Sequence, residues 1–374
     1  MKFVVPCNLL LSHLQTVGRV IASKNSIPIL DCFLFDLQGN QLTITAADNE
    51  TRMITSIEVS DVEGGGVFAI PSKSLLDSLK ELPDQPIVFE INDDNLAMVI
   101  HYENGRYNFV AQRGDEYPQS KPLSEDAAKL TIPAADLLAG ISRTIFAGGE
   151  DELRPVMNGV FFDISEEDIT FVASDGHKLV RFRNLGVKGN EKASFILPKK
   201  PANLLRTVLP REDGDVNIGF DSNNAYITME HFIVVCRLIE GRYPNYGGVI
   251  PKENPFKVTV DRLQFLNALK RVTVFSNSAS SLIKLNISTN SIFISAQDID
   301  FSTYAEETVT CVFDEAEINI GFKGTYLIEI LNNIQSEEVV LELADPSRAG
   351  LVLPAENEED EDLLMLLMPM MLND

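Results

Sequence analysis

The sequence predicts an α+β protein of three repeated domains, each a layer of antiparallel strands covered on one side by two helices. Three observations carry this reading. A strand-to-helix unit recurs six times, matching leucines in alternate copies lie 128 residues apart, and the stretches between copies alternate apolar and polar residues.

The six units are "FVVPCNLLLSHLQTVGRVI" from Phe3, "FAIPSKSLLDSLKEL" from Phe68, "LTIPAADLLAGISRTIF" from Leu130, "FILPKKPANLLRTVL" from Phe195, "VTVDRLQFLNALKRV" from Val258 and "IGFKGTYLIEILNNI" from Ile320. They form three pairs, with Leu10, Leu138 and Leu266 at matching places in the first members. Leu10, Leu14, Val17 and Ile21 recur at i, i+4, i+7 and i+11, and Leu75, Leu79, Leu82 and Leu327, Leu331, Ile334 at i, i+4, i+7. That period places one apolar stripe along each helix. A proline at the junction suits a first helical turn, where its missing N–H has no partner in any case.

Between the helices, "QLTITAAD", "RMITSIEV", "IVFEIND", "LAMVIHYE", "YNFVAQ", "DITFVAS", "KLVRFR", "DVNIGF", "AYITM", "FIVVCRLI", "SIFISAQ" and "VVLEL" read as strands. They are rich in Val, Ile, Phe and Thr and are punctuated by turns such as "NDDN", "ENG" and "DSNN". Proline and charge replace periodicity near residues 120 and 253, which sets domains at 1–122, 123–252 and 253–374.

A net charge of −24 over 374 residues argues against a chain coated by nucleic acid or anionic lipid, and leaves a local basic surface as the one route to such a partner. Cys7, Cys32, Cys236 and Cys311 are scattered through apolar stretches without a CxxC pair. They read as buried thiols of a reducing cytoplasm, with no metal site. The interrupted apolar start does not read as a signal peptide, and the apolar run "LLMLLMPMML" near the C-terminus has half the ~20 residues a membrane-spanning helix needs.

No Walker loop, GxGxxG, HExxH or EF-hand pattern is present, so no cofactor is expected. Asp175 and His177 in "ASDGHKLVRFR", with a serine of "SNSASS" at 276–281, outline a hydrolase triad, yet there is no GxSxG elbow and Asp175-Gly176 reads equally as a turn. Cations mark every helical unit: Lys24 follows the first, Lys73 and Lys80 lie on the second, Arg143 on the third, Lys199, Lys200 and Arg206 on the fourth, Arg262, Lys270 and Arg271 on the fifth, and Lys323 begins the sixth. The same helices carry acids, so a phosphate-contacting face and a solvated mixed face both stay open on charge alone. A repeat scaffold that never meets DNA is a third reading.

Five stretches resemble the bacterial DNA polymerase III beta subunit, the sliding clamp of replication: "SIPIL" (26–30), "RPVMNGVFFDI" (154–164), "VASDGHKLVRFR" (172–183), "GRYPNYGGVIP" (241–251) and "LMPMML" (367–372). The resemblance covers essentially the whole chain in the family's order. It implies a non-enzymatic processivity factor, a head-to-tail dimer closed into a six-domain ring that encircles double-stranded DNA without reading its sequence. It also implies docking of the replicative polymerase, the clamp loader and repair proteins through short peptide motifs, with DNA-facing cations at Lys24, Lys73, Lys80, Arg143, Lys199, Lys200 and Arg206.

The peptide pocket implied by the resemblance is walled by Met157, Ser174, Gly176, His177, Lys178, Leu179, Pro244, Val249 and Tyr326. The tail residues Leu366, Met368, Pro369, Met370 and Leu372 complete it. Subunit closure would use the strand carrying Phe109 and the apolar pair Val274 and Phe275. Gly247 and Gly248 stand where many members have larger or basic residues, Met371 where a basic residue is common, and Asn373-Asp374 extends the tail. The loop "GGEDELR" is acidic where a polar DNA contact is expected, and the acidic "ENEEDED" reads as a solvated loop whose length lets the tail shift when a partner arrives.

Overall fold

All six strand-to-helix units form in the computed structural model, which describes residues 1–372. The helices are α1 (Cys7–Val17), α2 (Ser72–Lys80), α3 (Ala134–Thr144), α4 (Lys199–Val208), α5 (Arg262–Thr273) and α6 (Gly324–Asn332). Each follows directly on a strand. Pro6 and Pro71 sit at the N-cap with extended backbone (ψ 131° and 118°) and not inside the first turn, because the strand's last residue must still hold β geometry when the helix begins.

The apolar stripes are buried as their period requires, with one change of register. Leu10, Leu14 and Val17 on α1 and Phe265, Leu269 and Val272 on α5 are inaccessible to within 2%. On α3 the equivalent residues are Leu137, Ile141 and Thr144, all at 0% exposure, whereas Leu138 is half-buried. Two adjacent leucines cannot be told apart by spacing. The start of the helix at Ala134 decides for Leu137, and the Thr144 hydroxyl joins the stripe by donating to the Gly140 carbonyl at 2.6 Å.

The chain packs as two compact units, Met1–Leu138 with Asn203–Leu238, and Ala139–Ala202 with Ile239 onward. In the first unit, a five-stranded sheet runs β5 (Ser60–Glu63), β1 (Lys2–Pro6), β7 (Pro86–Ile91), β8 (Ala97–Tyr102), β9 (Gly105–Val110). Its nine-stranded sheet runs β10 (Gln112–Arg113), β6 (Gly66–Pro71), β2 (Cys32–Gln38), β3 (Gln41–Ala47), β4 (Thr51–Glu58), β18 (Phe232–Arg237), β17 (Asn224–Thr228), β16 (Asp215–Phe220), β11 (Ala128–Pro133). In the second unit, an eight-stranded sheet runs β15 (Ala193–Pro198), β12 (Gly159–Ile164), β13 (Ile169–Ser174), β14 (Lys178–Asn184), β26 (Glu361–Leu367), β25 (Gly350–Pro354), β24 (Glu338–Leu343), β19 (Phe256–Asp261). A four-stranded sheet runs β22 (Thr303–Thr310), β21 (Ser291–Asp298), β20 (Leu282–Ser288), β23 (Ile318–Lys323).

The repeat is visible in these orders. The strand opening each third of the chain (β1, β11, β19) neighbours β7, β16 and β24, which lead through β8, β17 and β25 to β9, β18 and β26. The other half of each third ends on β4, β14 and β22. Within the units β4 pairs antiparallel with β18, and β14 with β26, so one strand type always meets the other across a junction. The remaining members of these two types, β9 and β22, are outer edges of their sheets.

Among the described residues no helix is long and apolar enough to cross a membrane. The four cysteines are free and buried. The acidic stretch before the tail is only partly a solvated loop. Glu361 pairs with Arg143 at 3.0 Å, Asp362 with Arg181 at 2.7 Å and Arg183 at 3.5 Å, and the Asn357 side chain accepts from the Leu363 N–H. The acids offset the half-buried Arg143 and Arg181, and Asp362 adds to the Asp168 carboxylate that already pairs with Arg183.

Candidate functional site

The turn between β13 and β14 organises the site. Asp175 accepts the backbone N–H groups of His177 (2.8 Å) and Lys178 (2.9 Å) on one carboxylate oxygen. The Ser174 hydroxyl donates to the Lys178 carbonyl at 2.8 Å and accepts from the Gly176 N–H. Gly176 has φ +91°, a conformation that residues with a Cβ rarely adopt. These bonds make Asp175 and Ser174 turn residues. Ser276 donates to the Thr273 carbonyl and Ser280 accepts from the Leu282 N–H, and among the described residues no imidazole bonds to either. The hydrolase triad is not assembled.

The tail extends from this turn. β26 lies between β14 and β25, with Leu179 opposite Leu366 and Lys178 opposite Leu367, and Leu363 to Leu367 are buried. The Met368 N–H continues the ladder to the His177 carbonyl at 2.8 Å. Pro369 has no N–H to offer the next rung, and the Met370 N–H instead donates to Gly321 on β23 at 2.8 Å. Met368 and Met371 are thereby left 42% and 76% exposed. Asn373 and Asp374 lie outside the described residues.

The segment 239–253 covers one face of the same sheet. Tyr243 stacks on Phe161 with ring centroids 4.6 Å apart, and the Tyr246 hydroxyl donates to Asp163 at 2.8 Å. Burial raises both phenols, and at Tyr246 the hydrogen bond to the Asp163 carboxylate adds to the effect of burial. Leu179, Leu366, Ala349 and Tyr243 form the apolar floor. Beyond it, Val249, Ile250, Pro251, Ala349 and Met368, with Lys252, Glu253 and Arg348 beside them, line a cleft of about 660 Å³, with Val249 58% exposed.

A second, polar cleft of about 380 Å³ is lined by Phe146, Arg154, His177, Lys178, Tyr326 and Glu329, among others. The Lys178 ammonium is buried, ion-paired with Glu329 and 3.8 Å from Asp175, and 4.1 Å from the Tyr326 ring centroid. Lys323 lies 4.5 Å from the same centroid. Burial and the nearby Asp175 raise the Tyr326 phenol, so it stays neutral. Two cations thus lie within cation–π range of the ring.

Most of the expected pocket residues therefore meet in one unit. Val249 and Met368 line the first cleft, His177, Lys178 and Tyr326 the second, and Leu179 and Leu366 lie beneath as core. Ser174 and Gly176 shape the turn, Met370 follows β23, Pro244 is exposed between the two tyrosines, and the Met157 carbonyl accepts from the Gly149 N–H. Phe161, Tyr243, Ile250 and Gly321 belong to these surroundings and are not singled out by the sequence reading. The tyrosines of "GRYPNY" are a signal for Tyr243 alone.

The basic residues divide. Lys24, Lys73, Lys80, Lys200 and Arg206 are exposed, with Lys80 3.7 Å from Asp77 and Arg206 bonded to Asn203. Lys199 is half-buried and pairs with Glu150 at 3.2 Å. Arg143 is not presented to solvent: its side chain is 16% exposed, paired with Glu361 and lying over the Phe182 ring. Phe109 is half-buried on the edge strand β9, and Val274 and Phe275 are 77% and 41% exposed beyond α5.

Models of the DNA polymerase III beta subunit match the chain three times, the N-terminal domain over residues 1–121, the central domain over 131–245 and the C-terminal domain over 248–371. The beta sliding clamps of Pseudomonas aeruginosa and Escherichia coli K12 are each 26% identical to it over the full length of both chains. A crystal structure of the Pseudomonas aeruginosa DnaN sliding clamp bound to griselimycin superposes with a TM-score of 0.94 at 26% identity, covering all of both chains. The Bacillus subtilis clamp, at 21% identity and TM-score 0.92, shares the fold.

Proposed function

This chain belongs to the DNA polymerase III beta subunit family, and from that premise we infer that it is a sliding clamp, a ring that encircles duplex DNA and tethers the replicative polymerase and other DNA-processing proteins. It is a processivity factor and not an enzyme.

The observation that supports ring closure is the pair of unmatched edges. Both internal junctions pair the strand types represented by β4 and β9, and one of each type, β22 and β9, has no partner strand on its outer side among the described residues. A second copy supplies the same pairing in trans. Because the two surfaces differ, the contact is head-to-tail, and two copies of three domains close it. Edge strands of this kind associate readily unless covered. Phe109 and the exposed Val274 and Phe275 would add apolar contact.

A closed ring holds DNA by topology, so the net charge of −24 is no obstacle to function. Lys24, Lys73, Lys80, Lys200 and Arg206, with Lys199 in part, would contact phosphates without reading bases. Partners would dock by short peptides whose apolar anchors enter the cleft at Val249 and Met368. Methionine side chains repack around different anchors, which suits one groove serving many proteins. The buried free thiols fit a bacterial cytoplasm.

The test is topological. The protein, loaded by a clamp loader onto a circular plasmid, should stay bound until a restriction enzyme linearises the circle, and should have a mass in solution near twice 41.4 kDa. Equal loss from circle and line, with a monomer at micromolar concentration, would sink the reading.

A further inference from the structure

We propose that Gly321 is the seat of the C-terminal tail, a positioning residue whose missing side chain sets where Met370 and Leu372 lie. The consequence for binding rests on the peptide-groove reading above; the seat itself does not.

Gly321 is in the interior of β23, paired with Lys284 of β20 on one side. Its φ is not in the left-handed region, so no backbone conformation calls for glycine. Glycine inside a strand is weakening, and is expected where another backbone comes close. That is the case here. On its outer side Gly321 bridges to Met370, accepting that residue's N–H at 2.8 Å. A Cβ added at 321 would lie 2.7 Å from Leu372 Cδ2, 2.8 Å from the Met370 carbonyl oxygen and 3.0 Å from Leu282 Cδ1. The leucine methyls can rotate away. The Met370 carbonyl is backbone and can retreat only if the tail lifts off β23.

The bridge matters because Pro369 ends the ladder to β14 and leaves the Met370 N–H without a partner there. Among the described residues past Leu367, two backbone bonds hold the chain, Met368 to His177 and Met370 to Gly321. Removing the second leaves the Met368 bond as the backbone tie of the segment Met368 to Leu372. A methyl group at 321 therefore acts chiefly on the tail: β23 keeps its backbone pairing to β20, and on that side the methyl meets only the rotatable end of the Leu282 side chain.

The experiment uses the full chain with Gly321→Ala, and a chain ending at Leu367 with and without the same substitution. Methionine methyl NMR and carboxypeptidase sensitivity report the tail, thermal melting reports the fold, and anisotropy of a labelled polymerase-derived motif peptide reports the groove. Gly321→Ala should move the Met370 methyl signal to a solvent-like position, speed carboxypeptidase trimming at least tenfold and weaken the peptide about tenfold, with the dimer intact. In the shortened chain the substitution should leave melting unchanged. A tail as protected in Gly321→Ala as in the wild type overturns the proposal, as does equal destabilisation of the shortened chain. A released tail with unchanged peptide affinity upholds the seat and removes the groove reading instead.

Discussion

Met368 and Val249 are 42% and 58% exposed at the first cleft, while Leu366, one strand rung away, is 3% exposed. Full burial of such a side chain contributes roughly 1.5–3 kcal/mol, so a partner that covers the exposed part gains about 1 kcal/mol from each of the first two. Truncating both, Met368→Ala with Val249→Ala, should weaken a motif peptide by about 2 kcal/mol, roughly 30-fold in Kd, while melting shifts little, because these surfaces are already solvated in the free chain. Leu366→Ala should do the reverse. It opens a cavity among Leu179, Tyr243 and Leu351, and should cost about 2–5 kcal/mol of stability, several degrees of Tm, before any effect on the peptide. The assay is peptide anisotropy against the folded dimer, with melting measured on the same samples. Binding within twofold of wild type in the double variant would refute the placement of the anchor. A Leu366→Ala protein with normal melting and a 30-fold loss would refute the division into wall and core.

Three further outcomes follow from the charges. Arg143→Ala should destabilise the protein by about 2 kcal/mol, since it removes a mostly buried ion pair to Glu361 and the guanidinium packed over the Phe182 ring, yet leave DNA retention of the folded dimer unchanged; lost retention at normal stability would return Arg143 to the DNA face. Glu150→Gln should release Lys199 and lengthen retention on circular DNA about twofold at low salt, with the gain gone at high salt because Glu150 is largely exposed; no difference at low salt would show that Lys199 does not reach the duplex. His13 is held below its ordinary value by burial and by His231, and its Nδ1 lies 2.7 Å from the Thr55 hydroxyl. The unfolded chain therefore takes up a proton first, and stability should fall as pH drops through 6.5 toward the lowered pKa. Tm measured from pH 7.5 to 5.5 should slope less in His13→Gln, and parallel curves would refute the assignment.

What the sequence made legible was what it encodes locally. The stripe Leu75 and Leu79 has a period, and the turn at Asp175-Gly176 has its own chemistry, so both could be read from neighbours alone. β26 could not. Its five consecutive buried residues, Leu363 to Leu367, carry no alternation because strands cover both edges and protein covers both faces, and a short apolar run without a period does not announce a strand. The fate of Arg143 was invisible for a related reason. Its charge is in the sequence, but Glu361 and Phe182 are brought to it only by the fold. Phe161 and Tyr243 show the same limit, each an unremarkable aromatic until the two stack.

The structure also relocates the groove's adaptability. A solvated acidic loop would let the whole tail swing on the arrival of a partner. Here Glu361 and Asp362 are tied to Arg143, Arg181 and Arg183, and the five residues after them are core, so the backbone is committed as far as Leu367. What remains to respond is Met368 to Leu372, held by two backbone bonds across a proline. Adjustment to different partners must then come from methionine rotamers over a fixed floor, which costs less ordering entropy than immobilising a longer tail. Selectivity among partners should accordingly track the shape of the side chain placed between Val249 and Met368 more than the length of peptide beyond it.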